Sequence, residues 1–111
     1  MSNVIPLRPQ LPKTLSREEA AAKVGSVLED SGNLVWTNHV LQRMEERHVT
    51  DMQVLQVLRR GVAIEDPVFG EDRNWEITME ADTAGDRVRV GAALDVDKMG
   101  FMVLIITVMV I

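Results

Sequence analysis

Three basic side chains recur at intervals of four residues in the middle of the chain: His39, Arg43 and Arg47. Residues four apart share one side of a helix, so this spacing predicts a basic ridge. Guanidinium groups bind phosphate through paired donors, and a histidine can move the proton of a ribose 2'-hydroxyl near neutral pH. Positive charge also stabilises a pentavalent phosphorus without a metal ion. The pattern indicates metal-independent RNA cleavage, with these three residues as candidate catalytic groups.

The same ridge has two other interpretations. Arg43 and Glu46 are three residues apart, which is a common surface ion pair on helices. Arg47 lies near the border of the buried stripe, where it would bridge this helix to acidic strands. A purely structural ridge and a binding ridge without chemistry therefore stay open beside the active site.

Helix-start signals divide the first half of the chain into three predicted helices. A serine or threonine stands at each start, and at the first and third a glutamate or glutamine three residues later completes a capping box. Apolar residues then recur at helical spacing. A short extended link, residues 34–36, is predicted between the first two helices. The helices are predicted from about 17 to 30, from Thr37 to about 48, and from Thr50 to Gly61.

After Gly61 the apolar residues alternate, which is typical of strands with one wet face. Residues 62–68 are the first predicted strand, and residues 74–82 and 87–94 form a hairpin with Ala84 and Gly85 at its tip. That register places Met79 opposite Val90 and Glu80 opposite Arg89, so apolar and ionic pairs agree. The last apolar run, residues 101–111, predicts a strand buried on both faces. The expected fold is α+β, with N-terminal helices packed on a four-stranded antiparallel β-sheet.

Composition narrows the function classes. The chain has 111 residues, 46% of them hydrophobic, and no cysteine, which excludes disulfides and thiolate metal sites. Residues 1–60 carry eight Lys/Arg and seven Asp/Glu, whereas residues 61–111 carry four and ten. The net charge of -5 opposes non-specific nucleic-acid binding. The acidic half predicts either a solvated surface or a patch that docks a basic partner.

The termini and apolar runs define the expected organisation. Residues 1–15 are predicted to be a flexible, Pro-containing tail, and residues 16–111 a single α+β domain. The eleven-residue apolar run is shorter than the roughly 20 residues that a membrane-spanning helix needs. No secretory signal is recognised, so the expected location is the cytoplasm, without a membrane. No cofactor or metal-ligand set is predicted.

The segment from Trp36 to Thr50 resembles a bacterial family, domain-of-unknown-function family 4258, whose helix reads roughly H-A-x-x-R-M-x-E-R-G-I-[ST]. The resemblance extends over about residues 34–111, although the pattern often has glycine where this chain has His48. The family is similar to the RelE/ParE and barnase-like toxin nucleases. That similarity implies helices on a twisted antiparallel sheet and ribonuclease activity carried by His39, Arg43 and Arg47. The matching residues are His39, Arg43, Met44, Glu46, Arg47 and Thr50.

The sequence and the resemblance lead to two functional hypotheses of different classes. The first is a ribonuclease of toxin-like fold that cleaves RNA by 2'-hydroxyl attack and has an antitoxin-like protein partner. The alternative is a non-catalytic protein–protein interaction module that uses an acidic sheet face or an exposed strand edge. A homodimer through the last strand is a third hypothesis for the partner.

Overall fold

Three helices and one short strand come first in the chain, and five further strands follow them. The computed structural model describes residues 10–30 and 33–111. Within these residues the elements are α1 (Arg17–Asp30), β1 (Leu34–Trp36), α2 (Asn38–Arg47), α3 (Asp51–Arg60), β2 (Val62–Ala63), β3 (Val68–Phe69), β4 (Trp75–Thr83), β5 (Asp86–Asp97) and β6 (Gly100–Val110).

Local hydrogen bonds confirm the three predicted helices. At the start of α1, Glu19 N–H donates to Ser16 Oγ at 3.1 Å, and Ser16 N–H donates to Glu19 Oε1 at 2.9 Å. Thr37 caps α2, and Thr50 forms the second capping box with Gln53 before α3. Each cap satisfies backbone N–H groups that a helix start leaves unpaired.

The sheet differs from the predicted one. Its strand order is β1-β6-β5-β4-β2, and β3 also pairs with β4, so the described residues form a six-stranded sheet. Because β1 runs parallel to β6, the sheet is mixed. The prediction of a four-stranded antiparallel sheet was therefore wrong, whereas the α+β class is confirmed.

Two short segments account for that difference. Residues 34–36, predicted as a link, form β1, which is too short to display the alternation that identifies a strand. Residues 62–68, predicted as one strand, contain β2 and the start of β3. These two-residue strands pair with separate stretches of β4.

The hairpin register is confirmed. Met79 pairs with Val90 and Glu80 pairs with Arg89, with the turn at Ala84 and Gly85. Between β5 and β6 the register shifts after Gly91, so that Ile106 is the extra residue of a bulge.

Side chains of the long strands alternate between two faces. The face that packs against the helices, here called the helix face, is buried: Trp75, Ile77, Met79, Val90, Leu94, Val103, Ile105 and Val108. The other side, here called the open face, carries Val35, Glu76, Thr78, Glu80, Asp82, Arg87, Arg89, Gly91, Ala93, Asp95, Met102, Leu104, Ile106, Thr107 and Met109.

The segment before α1 contacts the sheet. Trp75 Nε1–H donates to the Pro12 carbonyl at 2.9 Å, and Leu11 and Leu15 pack against the core. Residues 1–9 of the predicted tail lie outside the described residues, so the boundary between tail and domain stays a prediction. Among the described helices, none has the length and apolar character needed to cross a membrane.

Candidate functional site

The start of the basic ridge is fixed on β6. Thr37 Oγ1 accepts a hydrogen bond from Val40 N–H at 3.2 Å and donates one to the Ile105 carbonyl at 2.8 Å. Val40 is fully buried, which holds α2 against the sheet. His39 follows in the first helical turn with its side chain exposed.

Arg43 forms a pair within its own helix. Its Nη1 lies 2.8 Å from Glu46 Oε2, and Gln42 Nε2 donates to Glu46 Oε1 at 3.1 Å. The hydrogen bond from Arg43 lowers the pKa of Glu46. Because the two paired side chains are 35% and 44% exposed, solvent screens the pair and it adds little to stability. The predicted surface pair is therefore present.

Arg47 contacts the sheet rather than solvent alone. Its Nη1 donates to the carbonyl of Val108, on the outer edge of β6. The short strand β1 pairs with residues 103–105 of β6, so among the described residues no strand pairs with this carbonyl. An edge carbonyl would accept hydrogen bonds from another chain, and Arg47 occupies it.

The structure therefore separates the three candidate catalytic residues by environment. His39 is exposed, and the two arginines are both half-buried but differ in partner, because Arg43 pairs with Glu46 on its own helix and Arg47 bonds the edge of β6. Within the described residues, no ion pair links this ridge to carboxylates of the strands. No group of three or more metal-ligating side chains occurs in the same part of the chain. The catalytic role of the three residues stays a prediction.

The end of α2 explains one departure from the family pattern. His48 ends the helix with φ of 54° and ψ of 44°, in the left-handed region. Glycine adopts this conformation without steric cost, which accounts for the glycine in the pattern. His48 is therefore the residue that ends α2.

A second cluster of charged residues lies on the open face. Glu80 accepts from Arg89 Nε at 2.6 Å and from Arg87 Nε at 3.0 Å, and Arg87 Nη1 also reaches Asp82 at 3.1 Å. The Glu80 side chain is only 8% exposed, whereas the two arginines keep 44% and 39% exposure. The predicted pair Glu80–Arg89 is confirmed, and Arg87 bridges Glu80 and Asp82 beside it.

The arginines make Glu80 sensitive to acid. The hydrogen bond from Arg89, followed by that from Arg87, lowers the pKa of Glu80, although partial burial opposes the shift. A carboxylate whose pKa is lowered in the folded state stabilises that state at pH values above its ordinary pKa. This stabilisation is lost as the pH falls through the pKa of Glu80 in the folded protein.

Apolar side chains lie next to this cluster. On the open face, Val35, Ile106 and Met109 are 40%, 38% and 43% exposed, and Leu104 and Met102 are half-buried beside them. The prediction that the last strand is buried on both faces was therefore wrong, because the described helices cover only one of them. The two methionines at open-face positions were a sequence signal for this exposed apolar surface, since methionine is common on adaptable binding surfaces.

A shallow groove runs along β5 between the charged and apolar strands. Its floor is Gly91, which has no side chain, whereas Ala93, the next open-face residue of β5, is fully buried. A cavity of about 200 Å³ lies over Gly91, between Thr78 on β4 and Thr107 on β6. Sequence reasoning missed this groove, because its walls come from strands that are distant along the chain.

Comparison with known proteins identifies a family and no relative of established function. A family model described as "Domain of unknown function (DUF4258)" matches residues 36–110, more than half of the chain. No curated protein and no solved structure matches the chain. The predicted similarity to RelE, ParE and barnase-like nucleases is therefore not established by these comparisons.

Proposed function

The chain belongs to the DUF4258 family, and we propose that it is a protein-interaction module that binds its partner through the open face of the sheet. One observation carries this proposal: Val35, Ile106 and Met109 are exposed on a sheet face that the described helices do not cover, and Met109 lies next to Arg89, the ion-pair partner of Glu80. Contiguous apolar surface with a polar border is characteristic of protein interfaces.

The charged cluster suits recognition. Glu80 fixes the guanidinium groups of Arg87 and Arg89, so a partner meets positioned donors rather than mobile side chains. Such pre-organisation lowers the entropy cost of binding, and fixed charges select the orientation of the partner.

Capture from a bacterial lysate tests this function. We expect Ile106→Asp and Met109→Asp to lose proteins that the wild type retains, because each substitution places a charge in the apolar part of the open face. The measurement is quantitative mass spectrometry of proteins retained by the immobilised chain.

The matched control is Leu41→Asp, since Leu41 is 49% exposed on α2 and lies away from the open face. It should retain the same proteins as the wild type. Equal retention by Met109→Asp and Leu41→Asp would contradict the proposed binding face.

The ribonuclease of toxin-like fold, with an antitoxin-like partner and a cytoplasmic location, is the second candidate. Exposed His39 lies one turn from Arg43, whose side chain also reaches solvent. These groups supply a proton-transfer residue and a phosphate donor on one helix.

RNA cleavage decides this candidate. If it is correct, the purified protein cleaves RNA in EDTA, and His39→Ala reduces the rate by about a hundredfold or more, as expected for a general acid–base residue. Gel analysis of labelled RNA gives the rate. The control is Gln42→Ala on the same helix, which should cleave normally. Intact RNA at high protein concentration would remove the enzyme hypothesis.

A further inference from the structure

The segment that precedes α1 lies against aromatic side chains of the sheet. Trp75 Nε1–H donates to the Pro12 carbonyl at 2.9 Å. Phe69 contacts Trp75 edge-on, with 5.3 Å between the ring centroids and an angle of 71° between the ring planes. Leu11 packs against the core next to Pro12. Pro12 is therefore held by an indole N–H that lies beside a second aromatic ring.

Two cavities share Pro12 in their walls. The first, of about 260 Å³, lies between Pro12 and Phe69. The second, of about 280 Å³, lies between Pro12 and Phe101 at the start of β6. Without Pro12 the two cavities would join, and their combined volume would fall within the range of about 300–1,000 Å³ typical of ligand pockets. We call this region, defined by Phe69, Trp75 and Phe101, the aromatic site.

Residues 10–15 are held less firmly than the helices and strands around them. Within the part of the chain that the structure describes, the bond from Trp75 to Pro12 is the only hydrogen bond that this segment makes. Leu11 and Pro12 are half-buried, and the two residues after them are exposed. A segment with few hydrogen bonds and little buried apolar surface opens at a small fraction of the free energy of global unfolding.

The aromatic site and the segment differ in their relation to the family. Phe69, Trp75 and Phe101 lie within residues 36–110, which the family model matches, whereas residues 10–15 precede the match. The segment is therefore an addition to the matched region, and it covers an aromatic surface of that region.

The chemistry of the covering segment indicates which ligand the aromatic site fits. Proline lacks an N–H and restricts the residue before it to extended backbone, so Leu11 and Pro12 present an acceptor carbonyl at a small entropy cost. Aromatic-lined grooves bind proline-containing extended segments in this way. Along the sequence, Pro6, Pro9 and Pro12 recur every three residues, which is the period of a polyproline II helix.

We propose that the aromatic site binds an extended Leu-Pro segment of a partner protein, and that residues 10–15 occupy the same site in cis. The cis segment competes with the partner, because its covalent link to α1 gives it a high effective concentration. The apparent affinity for the partner is therefore reduced in proportion to the fraction of molecules whose site is open. The aromatic site lies among the helix-face residues, so this inference is independent of the partner proposed for the open face.

The experiment uses the full chain and a synthetic peptide that copies residues 6–15. Leu11→Asp in the chain places a charge against the core and releases the cis segment. Fluorescence anisotropy of the labelled peptide gives the dissociation constants. We expect Leu11→Asp to bind the peptide at least about tenfold more tightly than the wild type, as follows if the cis segment fills at least about nine-tenths of the wild-type sites. A peptide that itself carries Leu11→Asp should bind neither chain.

The indole N–H resonances report on the aromatic site directly, because the chain has two tryptophans. Trp36→Phe assigns the signal of Trp75. That signal should shift in Leu11→Asp, since the hydrogen bond to Pro12 is lost, and excess peptide should return it towards its wild-type position. Phe69→Ala removes one wall of the site and should weaken peptide binding when it is combined with Leu11→Asp.

Control variants test whether binding is confined to the aromatic site. Met109→Asp and Leu41→Asp change exposed apolar residues on the open face and on α2, and each should leave peptide binding unchanged when combined with Leu11→Asp. Far-UV circular dichroism confirms that each variant is folded. If Leu11→Asp does not fold, the same measurements on Leu11→Ala decide the question.

Three results would overturn the proposal. An unchanged Trp75 signal in the folded Leu11 variant would show that the cis segment does not leave the site. Equal dissociation constants for the variant and the wild type, or equal binding of the charged peptide, would show that the aromatic site does not bind this ligand. A wild-type dimer in light scattering that excess peptide dissociates would place the segment in the site of a second copy.

Discussion

Gly61→Ala is expected to lower the free energy of unfolding by about 1–3 kcal/mol, the usual cost of overpacking a closely packed site. Gly61 ends α3 where the chain passes β4. A methyl group at this position would clash with the Val57 carbonyl oxygen and would lie 2.7 Å from that of Glu80. Both atoms belong to the backbone, so no side-chain rotation relieves the contact.

Urea unfolding followed by tryptophan fluorescence measures this effect. The matched control is Gly25→Ala in α1, where an added methyl group meets no atom within 4 Å. Because alanine favours a helix over glycine, the control should gain up to about 1 kcal/mol. Equal stability of Gly61→Ala and the wild type would show that α3 and β4 are not packed as closely as described.

Arg47→Met is expected to cost about 1.5–3 kcal/mol of stability, because it removes a hydrogen bond from a charged donor. Methionine keeps the apolar stem of the side chain but cannot donate to the Val108 carbonyl. The outer edge of β6 then offers an unpaired acceptor, so association at high protein concentration is expected as well. Urea unfolding and light scattering measure the two effects.

Arg43→Met is the control for this prediction. Its ion pair with Glu46 is exposed, so its loss should cost no more than about 0.5 kcal/mol. Equal stability losses in the two variants would contradict the edge role of Arg47. If Arg47 has this role, a fall in RNA cleavage by its variants must be compared with their folded fraction before it is assigned to chemistry.

The helices were predictable because their signals are local. A cap and its partner are three residues apart, as in Thr50 and Gln53, and helical periodicity needs only neighbouring turns. The β4–β5 hairpin was predictable for a related reason. Its short turn joins the strands directly, and only one register pairs Met79 with Val90 while it pairs Glu80 with Arg89.

The edges of the sheet were not predictable in the same way. The parallel pairing of β1 with β6 brings Leu34 to Val103. A three-residue strand carries too little pattern to specify such a partner. Its pairing depends on how the helices and strands that lie between β1 and β6 in the chain pack together. The four-stranded prediction failed at the two edges of the sheet for this reason.

The candidate site likewise has features set by residues close along the chain and features set by tertiary packing. The sequence by itself determined the three helices, the hairpin register, the resemblance to DUF4258 and the positions of His39 and Arg43 on α2, because these depend on residues close along the chain. Only the tertiary structure decided that Arg47 holds Val108, 61 positions away, and that β6 has one uncovered face beside the groove. Those features depend on how α2 and the strands pack together, which local periodicity does not specify.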